Sequence, residues 1–280
     1  MVSARQSEMA HRTESDGTMQ DSSGDVVVVD RQGTVLTVTM NRPKVLNVLD
    51  EALADALLAV FEPIAADSSV RAVVLAGAGR SFMAGGDLSR FHADLAGAPA
   101  TAGQLIGRFH ALMRLIKALP QPVVAAVQGP VAGGGVGLAL ACDIVIAAQG
   151  ASFLSAYTRL GTNPDGGTTW SLPRLLGPRR ALEFVLLNEA MDAGTALRLG
   201  LVNRVVPDGE LAETARAMAE RLSQCSFGAS RASKALVQAA MEGSFDEQLD
   251  LEKQAFMANA GTDDFREGIQ AFFEKRAPRF

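Results

Sequence analysis

Two glycine-rich turns are the part of the sequence best suited to chemistry. One, Gly133 to Gly135, lies between the apolar run Val123 to Val127 and an apolar segment from Val136 to about Ala141. The other, Gly85-Gly86, follows the apolar run Val70 to Ala76. A helix that begins on glycines presents unpaired N–H groups and the positive end of its dipole, with no side chains in the way. Two such turns could supply two converging donors to a negatively charged oxygen.

The glycine turns alone do not name a ligand. A phosphate or the enolate oxygen of a thioester would each suit such a site, and tight packing of a helix against a strand would also require glycines. A dinucleotide-binding turn is excluded, because the GxGxxG spacing puts Leu138 or Leu140 where its last glycine belongs.

The pattern of apolar residues predicts the elements that must hold these turns. The two apolar runs predict buried strands, and a hairpin is predicted at Val26 to Asp30 and Thr34 to Met40. The spacing of four residues from Leu49 to Phe61 predicts a helix. The segment Ala93 to Gly103 is rich in Ala, Gly and Pro and is predicted to be mobile.

The last third of the chain is predicted to be mostly helical. Helices are predicted from Pro178 to Asn188, from Thr195 to Leu199, and from Glu210 onward with breaks near Phe227 and Gly243. Between them, Leu201 to Pro207 has the pattern of an edge strand.

Together these segments resemble the crotonase superfamily, also called the enoyl-CoA hydratase/isomerase family, from about Val26 to Phe280. The motifs that carry the resemblance are NRPKVLN (Asn41 to Asn47), RSFMAGGDL (Arg80 to Leu88), QGPVAGGG (Gln128 to Gly135), CDIVIA (Cys142 to Ala147) and DDFREGIQAFFEKRAPRF (Asp263 to Phe280). The resemblance implies an α/β fold: a crotonase-like spiral of ββα units at 26–205 and a helical C-terminal trimerisation region at 206–280. A flexible tail is expected at 1–25.

The resemblance also implies roles for individual residues. It assigns the two oxyanion N–H groups to Gly86 and Gly134, and it puts Lys44, Arg80 and Lys275 near the positions that meet the adenine and phosphates of CoA. Each of these three cations could equally be an ordinary solvated charge. Further substrate-binding positions are implied at Val45, Leu46, Ala84, Asp87, Leu88 and Phe272. The expected ligand is an acyl-CoA thioester, with no metal and no separate cofactor, because CoA is part of the substrate.

The chain departs from the family's hydratases at the two positions that carry catalytic glutamates. Those positions hold Gly137 and Tyr157 here, and neither can act in a carboxylate pair that adds water to a double bond. The next carboxylate in the loop is Asp165, where several isomerases and the aryl-CoA dehalogenase branch of the family carry an aspartate. We predict that Asp165 is the base or nucleophile, although Pro-Asp-Gly is also an ordinary turn and an aspartate before Thr168 could cap a helix.

Two further side chains are candidates for the same site. Tyr157, the chain's only tyrosine, is predicted to be a polar wall of the acyl pocket, with plain packing as the alternative. His110 matches the position of a histidine base in the dehalogenase branch, but one histidine on an amphipathic helix is more often structural.

Four functions remain open from the sequence. The leading hypothesis is an enoyl-CoA isomerase that shifts a double bond through an enolate held by Gly86 and Gly134. The alternatives are a hydratase or lyase with a non-standard site, an aryl-CoA hydrolase or dehalogenase that uses Asp165 and His110, and a non-catalytic acyl-CoA-binding subunit.

Composition narrows the class of protein. The 280 residues are 48% apolar, enough for a large core, and the net charge of −5 without a basic run argues against nucleic acid as a partner. Asp143 interrupts the longest apolar stretch, so no membrane span is expected. Two cysteines without a metal pattern, and an N-terminus without a signal-peptide core, favour the cytoplasm. By family resemblance, a homotrimer or a dimer of trimers is expected.

Overall fold

The computed structural model of the protein describes residues 25–280. The predicted tail at 1–25 therefore lies outside the described residues, apart from Asp25. Short strands alternate with helices from residue 27 to about residue 206, and the rest of the chain is helical.

Within residues 25–280, nine strands form two sheets. The strands are β1 (Val27–Gln32), β2 (Val35–Met40), β3 (Ala72–Gly77), β4 (Val123–Val127), β5 (Pro130–Ala132), β6 (Ile144–Ala148), β7 (Ser152–Leu154), β8 (Met191–Asp192) and β9 (Arg204–Val206). The larger sheet has the order β1-β2-β3-β4-β6-β9 and is parallel except for the β1-β2 hairpin. The smaller sheet has the order β5-β7-β8, with β7 parallel to β5 and antiparallel to β8.

Eleven α-helices are present among residues 25–280. They are α1 (Glu51–Ile64), α2 (Leu88–Ala93), α3 (Ala98–Ala118), α4 (Gly134–Ala141), α5 (Thr168–Leu176), α6 (Pro178–Leu187), α7 (Ala193–Arg198), α8 (Leu211–Ser223), α9 (Phe227–Ala239), α10 (Phe245–Ala260) and α11 (Asp263–Glu274). Several begin on residue types that commonly cap helices: Asp50 accepts a hydrogen bond from Leu53 N at α1, and Ser244 forms a capping box with Glu247 at α10.

Each turn of the chain puts a strand in the larger sheet, then an extended segment in a second layer, and then a helix. β4 is followed by β5 and α4, and β6 is followed by β7 and α5. In the two preceding turns the second-layer segment is reduced to single bridging residues, because Leu49 pairs with Gly86 and Met83 pairs with Val131. This arrangement confirms the predicted spiral of ββα units, and it brings both glycine turns into the second layer.

Helices cover both faces of the larger sheet, which explains why its central strands are apolar without alternation. Along β4, Val123, Ala125 and Val127 face the main core beneath α1 and α3, whereas Val124 and Ala126 face the other side. That second face is closed by Leu211, Ala215 and Ala219 of α8. The predicted edge strand is also confirmed, since β9 ends the sheet.

The segment Ala93 to Gly103, which was predicted to be mobile, is partly helical. α2 ends at Ala93, a short connection follows, and α3 starts at Ala98. The small residues from Ala98 onward form the first turns of α3, a 21-residue helix that has Pro99 near its start. Proline is well tolerated in a first helical turn, where its missing N–H has no intrahelical partner to lose.

Candidate active site

A buried asparagine shapes the first glycine turn. Asn47 is fully buried, and its Nδ2 donates hydrogen bonds to the carbonyl oxygens of Ala78, Ser81 and Phe82 at 3.0, 2.8 and 3.2 Å. Its Oδ1 accepts from Arg42 N at 2.8 Å. A single side chain therefore ties the NRPKVLN segment to the loop that leads to Gly86, and it satisfies backbone groups that water cannot reach.

The backbone pairing of the first glycine turn with Leu49 leaves the N–H of Gly86 without an acceptor among the described residues. Leu49 N donates to Gly85 O at 2.7 Å, and Asp87 N donates to Leu49 O at 2.8 Å. In a parallel bridge of this kind, the residue between the two bonded neighbours points its own N–H away from the partner strand. That residue is Gly86, and its N–H has no hydrogen-bond acceptor among residues 25–280.

The second turn leads directly into α4. Gly133 has a positive φ of 53° and donates its N–H to Leu154 O at 3.0 Å. Gly134 is the first residue of α4, where no intrahelical acceptor exists, and its N–H is also without an acceptor in the described part of the chain. Close packing demands glycine at the next position, because a Cβ on Gly135 would lie 2.1 Å from Met83 O.

The two turns touch each other. A Cβ on Gly133 would lie 3.5 Å from the Cα of Gly85, and a Cβ on Gly85 would lie 3.4 Å from Ala132 O. Gly86 and Gly134 then line one common cavity. Two free backbone donors on residues that line one cavity could together stabilise a developing oxyanion, provided that they point at the same spot.

The cavity has a volume of about 660 Å³ and mostly apolar walls. Its apolar lining comes chiefly from α2, α3 and the neighbouring loops, through Leu49, Leu88, Phe91, Leu95, Pro99, Ala102, Leu105, Ile106, Phe109 and Leu160. Its polar side chains are Asp165, Tyr157, Thr162, Asn163 and His92. A few polar groups in an apolar cleft are typical of a site for a small ligand.

Asp165 is half-buried at the wall of this cavity, and a hydroxyl group contacts it. The Tyr157 phenol donates a hydrogen bond to Asp165 Oδ1. Burial raises the pKa of Tyr157 far above its usual range, and the neighbouring charge of Asp165 raises that pKa further. The phenol therefore remains a hydrogen-bond donor at neutral pH and cannot serve as a base.

The loop that carries Asp165 is held from behind by α3. Gly166 N donates to His110 Nε2 at 3.2 Å, and a Cβ on Gly166 would lie 2.4 Å from the Phe109 ring. The Asp165 carbonyl accepts from Thr168 N at 3.1 Å, where α5 begins. His110 thus supports the loop and does not itself line the cavity.

The same loop occupies the space beside Gly137, the first of the two positions at which hydratases of the family carry glutamate. A Cβ on Gly137 would lie 2.7 Å from Gly166 O and 3.0 Å from Thr168 Oγ1. Contacts under about 3 Å are not tolerated between a real Cβ and backbone. Any longer side chain at Gly137 would therefore displace the loop that carries Asp165.

The structure brings together only part of the predicted set of residues. Those that line the cavity are Ala84, Gly86, Leu88, Gly134, Tyr157 and Asp165. Those that do not line it are Lys44, Val45, Leu46, Arg80, Asp87, His110, Phe272 and Lys275.

Some of the second group lie next to the cavity wall. Leu46 O accepts from Ala84 N at 3.1 Å, and Asp87 caps α2 by accepting from Ser89 N. The Ser89 hydroxyl also holds the pKa of Asp87 below its usual range. Phe272 lies exposed in the last turn of α11 and Lys275 is the exposed C-cap of that helix; neither lines the cavity.

Several residues of the site were not identified from the sequence. The cavity face of α3, from Pro99 to Phe109, recurs at spacings of three and four residues, which is a helical signal. The many Ala and Gly residues at the start of α3 hid this helical spacing in the sequence. Asn47 belongs to the NRPKVLN motif, but its hydrogen bonds to the loop before Gly86 are made with residues 31 to 35 positions further along the chain.

Within residues 25–280, no group of three or more His, Cys, Asp or Glu side chains could hold a metal ion. In the same range, none of the helices combines the length and apolar character that crossing a membrane requires.

Sequence comparison supports one family. The chain matches the family profile described as enoyl-CoA hydratase/isomerase over residues 30–280. It is 40% identical over 248 residues to the 1,2-epoxyphenylacetyl-CoA isomerase of Escherichia coli (strain K12), covering 88% of this chain and 94% of that protein. It is also 40% identical over 243 residues to a probable enoyl-CoA hydratase of Rhodobacter capsulatus, covering 87% and 93% respectively.

Solved structures agree with the sequence comparison. The crystal structure of an enoyl-CoA hydratase from Polaromonas sp. JS666 superimposes with a TM-score of 0.87 at 35% identity, and the match covers 90% of this chain and 98% of that one. An enoyl-CoA hydratase from Bacillus anthracis also gives a TM-score of 0.87 at 35% identity, covering 91% and 98%. With the spiral of ββα units and the paired glycine turns, these matches show that the chain belongs to the enoyl-CoA hydratase/isomerase family.

Proposed function

We propose that the protein is an enoyl-CoA isomerase, which moves a double bond within an acyl-CoA thioester. The observation that carries the proposal is that Asp165 is the one carboxylate, among residues 25–280, that lines the cavity shared by Gly86 and Gly134. One carboxylate suffices to move a proton from one carbon to another. The addition of water, as the family's hydratases perform it, uses two.

The chemistry follows from these groups. The thioester oxygen accepts hydrogen bonds from the N–H groups of Gly86 and Gly134, and one such donor is worth roughly 3 to 4 kcal/mol in related reactions. The negative charge that develops on this oxygen is thereby stabilised, which acidifies the proton on C2. Asp165 removes that proton, a dienolate forms, and the proton returns at C4.

The contacts around Gly137 argue against a standard hydratase. A glutamate there would clash with Gly166 O, since even a Cβ would lie 2.7 Å from it, and the contact with Thr168 Oγ1 would also be tight. The loop position that presents Asp165 and the first hydratase glutamate therefore exclude each other. Tyr157 stands at the position of the second glutamate and donates to Asp165 instead of activating water.

A hydratase or lyase with a non-standard site is the second candidate. It is favoured by the name of the Rhodobacter capsulatus relative, a probable enoyl-CoA hydratase that is as similar in sequence as the isomerase of Escherichia coli. In such an enzyme Asp165 alone would have to position and activate the water.

The two remaining candidate functions have less support. A hydrolase or dehalogenase would need His110 as a base near Asp165, but His110 Nε2 accepts the Gly166 N–H, and His110 does not line the cavity. A non-catalytic acyl-CoA-binding subunit would bind substrate without turning it over. In every one of these cases Lys44 and Arg80, both exposed, are the cations proposed to meet CoA.

The test is a direct substrate assay. Trans-3-enoyl-CoA and trans-2-enoyl-CoA thioesters of several chain lengths, and arylacetyl-CoA analogues, are incubated with the protein. Products are followed by mass and by enone absorbance. We expect a product of unchanged mass with enone absorbance from the trans-3 substrates. A product heavier by one water from the trans-2 substrates would support the hydratase instead, and tight binding without any product would support the non-catalytic subunit.

A further inference from the structure

Tyr157 and Asp165 are joined by a hydrogen bond between two side chains of the cavity wall. The phenol stands between the second glycine turn and the carboxylate, because a Cβ on Gly133 would lie 3.9 Å from both Cζ and the hydroxyl of Tyr157, and that hydroxyl donates to Asp165 Oδ1. Tyr157 and Asp165 both line the cavity. The contact is thus inside the proposed reaction chamber.

The two oxygens of Asp165 are not equivalent. Oδ1 accepts from the Tyr157 phenol, whereas Oδ2 has no hydrogen-bond partner among residues 25–280. The backbone of the same residue is also anchored, since its carbonyl accepts from Thr168 N and the following N–H donates to His110. A carboxylate held at one oxygen and along its backbone cannot rotate freely about its last bond.

The charged groups near the pair do not offer Oδ2 another partner. The titratable side chains of the cavity lining are Tyr157, Asp165 and His92, and His110 lies behind Gly166. The phenol remains protonated, because burial and the adjacent carboxylate both raise the pKa of Tyr157. It therefore holds Oδ1 throughout the neutral pH range.

We propose that Tyr157 is a positioning residue that restricts proton transfer to a single oxygen, Oδ2 of Asp165. This proposal rests on the proposed isomerase activity. In the first step the C2–H bond breaks, the Oδ2–H bond forms, and the electron pair enters the dienolate. In the second step the Oδ2–H bond breaks, the C4–H bond forms, and the double bond moves from C3=C4 to C2=C3. No atom is gained or lost.

Single-oxygen transfer has a measurable consequence. A proton held on Oδ2 in an apolar cavity faces the same side of the dienolate in both steps, so it returns to the substrate before it exchanges with water. Without the phenol, the carboxyl group can rotate and present the proton to solvent. Substrate deuterated at C2 should therefore carry much of its label to C4 in the wild type, and much less in Tyr157→Phe.

The first experiment measures that label together with steady-state kinetics. For Tyr157→Phe we expect kcat to fall about 10- to 100-fold, the range for loss of a hydrogen bond to a charged group, with KM within about twofold. Label carried to C4 should fall at least severalfold. Unchanged kcat and unchanged label transfer in Tyr157→Phe would overturn the proposal.

The matched control is Thr158→Val. Thr158 is the next residue in the same loop, and its hydroxyl bonds to Val185 O and Asn188 Nδ2 but not to Asp165. Its substitution should lower thermal stability while leaving label transfer at the wild-type level. A fall in label transfer equal to that of Tyr157→Phe would mean that general loosening of the loop, and not the phenol, controls the proton.

A second experiment needs no substrate, so it separates failure of this proposal from failure of the isomerase assignment. Tyr157 is the chain's only tyrosine, so the ultraviolet absorbance of tyrosinate in an alkaline titration reports on this residue alone. Asp165→Asn removes the negative charge beside the phenol, so the ionisation of Tyr157 should begin at lower pH than in the wild type. Circular dichroism at each pH shows whether the protein is still folded there. Identical titrations in the two proteins would show that Tyr157 and Asp165 do not interact, whatever the activity.

Discussion

Asp165 has features of both a catalytic residue and a turn residue. It lies in a Pro-Asp-Gly turn, and its carbonyl oxygen accepts from Thr168 N at the start of α5. Its side chain does not cap that helix, because it is directed to the Tyr157 phenol and the cavity. The backbone of Asp165 thus performs the structural role, which leaves the carboxylate available for chemistry.

Asp165→Asn tests this division of roles. The amide cannot accept a proton, so we expect kcat to fall by about 10²- to 10⁴-fold, the usual contribution of a positioned general base. Affinity for acyl-CoA should stay within about threefold, because the N–H groups of Gly86 and Gly134 are untouched. Steady-state kinetics and calorimetric titration measure the two quantities. Near-native turnover, or a loss of activity that only follows a loss of thermal stability, would make Asp165 a turn residue.

His110 is expected to act through the loop and not on the substrate. His110→Ala leaves the Gly166 N–H without its acceptor, which should destabilise the protein by about 1–3 kcal/mol. Displacement of the neighbouring carboxylate should lower kcat by up to about 100-fold. His110→Gln is the matched variant, since its amide oxygen can accept the same N–H, and both effects should be smaller. If Gln and Ala variants lose activity equally at wild-type stability, a direct role for the imidazole would be indicated.

At the scale of elements, the site depends on how closely α3, α4 and the loop after β7 approach each other. α4 is buried along its whole length and is made of small residues on the side that meets this loop. α3 supplies Phe109 against Gly134 and Gly166, and His110 against the Gly166 N–H. Three elements therefore meet at backbone atoms, and glycines allow this contact.

Gly137→Ala tests that contact. The added Cβ would overlap Gly166 O and lie close to Thr168 Oγ1, so the loop must shift, and we expect a loss of about 1–3 kcal/mol in the free energy of unfolding. Because the shift moves Asp165, kcat should fall more than KM rises. Chemical denaturation and steady-state kinetics provide the two measurements.

The control for Gly137→Ala is Gly107→Ala, on the exposed side of α3. A Cβ there meets nothing within 4 Å, so alanine should stabilise the helix by about 0.5–1 kcal/mol and leave the kinetics unchanged. Gly137→Glu should not create hydratase activity, because the glutamate has no room while the loop keeps its position. A gain of hydration activity in that variant would show that the loop carrying Asp165 can move aside at little cost in free energy.

At the scale of the whole molecule, the last helices present apolar side chains to solvent in a single chain. Phe245 and Phe256 of α10 and Phe272 and Phe273 of α11 are between 67% and 77% exposed. Large exposed apolar patches mark surfaces that contact another molecule. Together with the family resemblance of the C-terminal region, this exposure supports the prediction of a threefold-symmetric assembly.

Light scattering at low micromolar protein should give the mass of a trimer or of a dimer of trimers. A double substitution, Phe272→Ser with Phe273→Ser, should shift the mass towards the monomer, because it removes apolar area from the expected contact. Val29→Ser is a suitable control, since this exposed residue lies on the edge strand β1. A wild-type monomer across the accessible concentration range would contradict the prediction.

The sequence by itself determined the two glycine turns and the family resemblance, and that resemblance implied the spiral of ββα units. These features are encoded locally: buried strands appear as short apolar runs, and NRPKVLN, RSFMAGGDL and QGPVAGGG are contiguous in the chain. It also singled out Asp165, because the absence of glutamate at Gly137 and Tyr157 can be read position by position. Local patterns suffice wherever a residue's role depends on its immediate neighbours in sequence.

Only the tertiary structure decided which groups meet Asp165 and what surrounds it. The role of His110 as an acceptor for Gly166 joins residues 56 apart, and the clash that any side chain at Gly137 would cause depends on the path of a distant loop. The wall that α3 adds to the cavity was also hidden, because small residues resemble a flexible segment until packing orders them. Such contacts depend on the packing of distant segments, and no spacing along the chain specifies them.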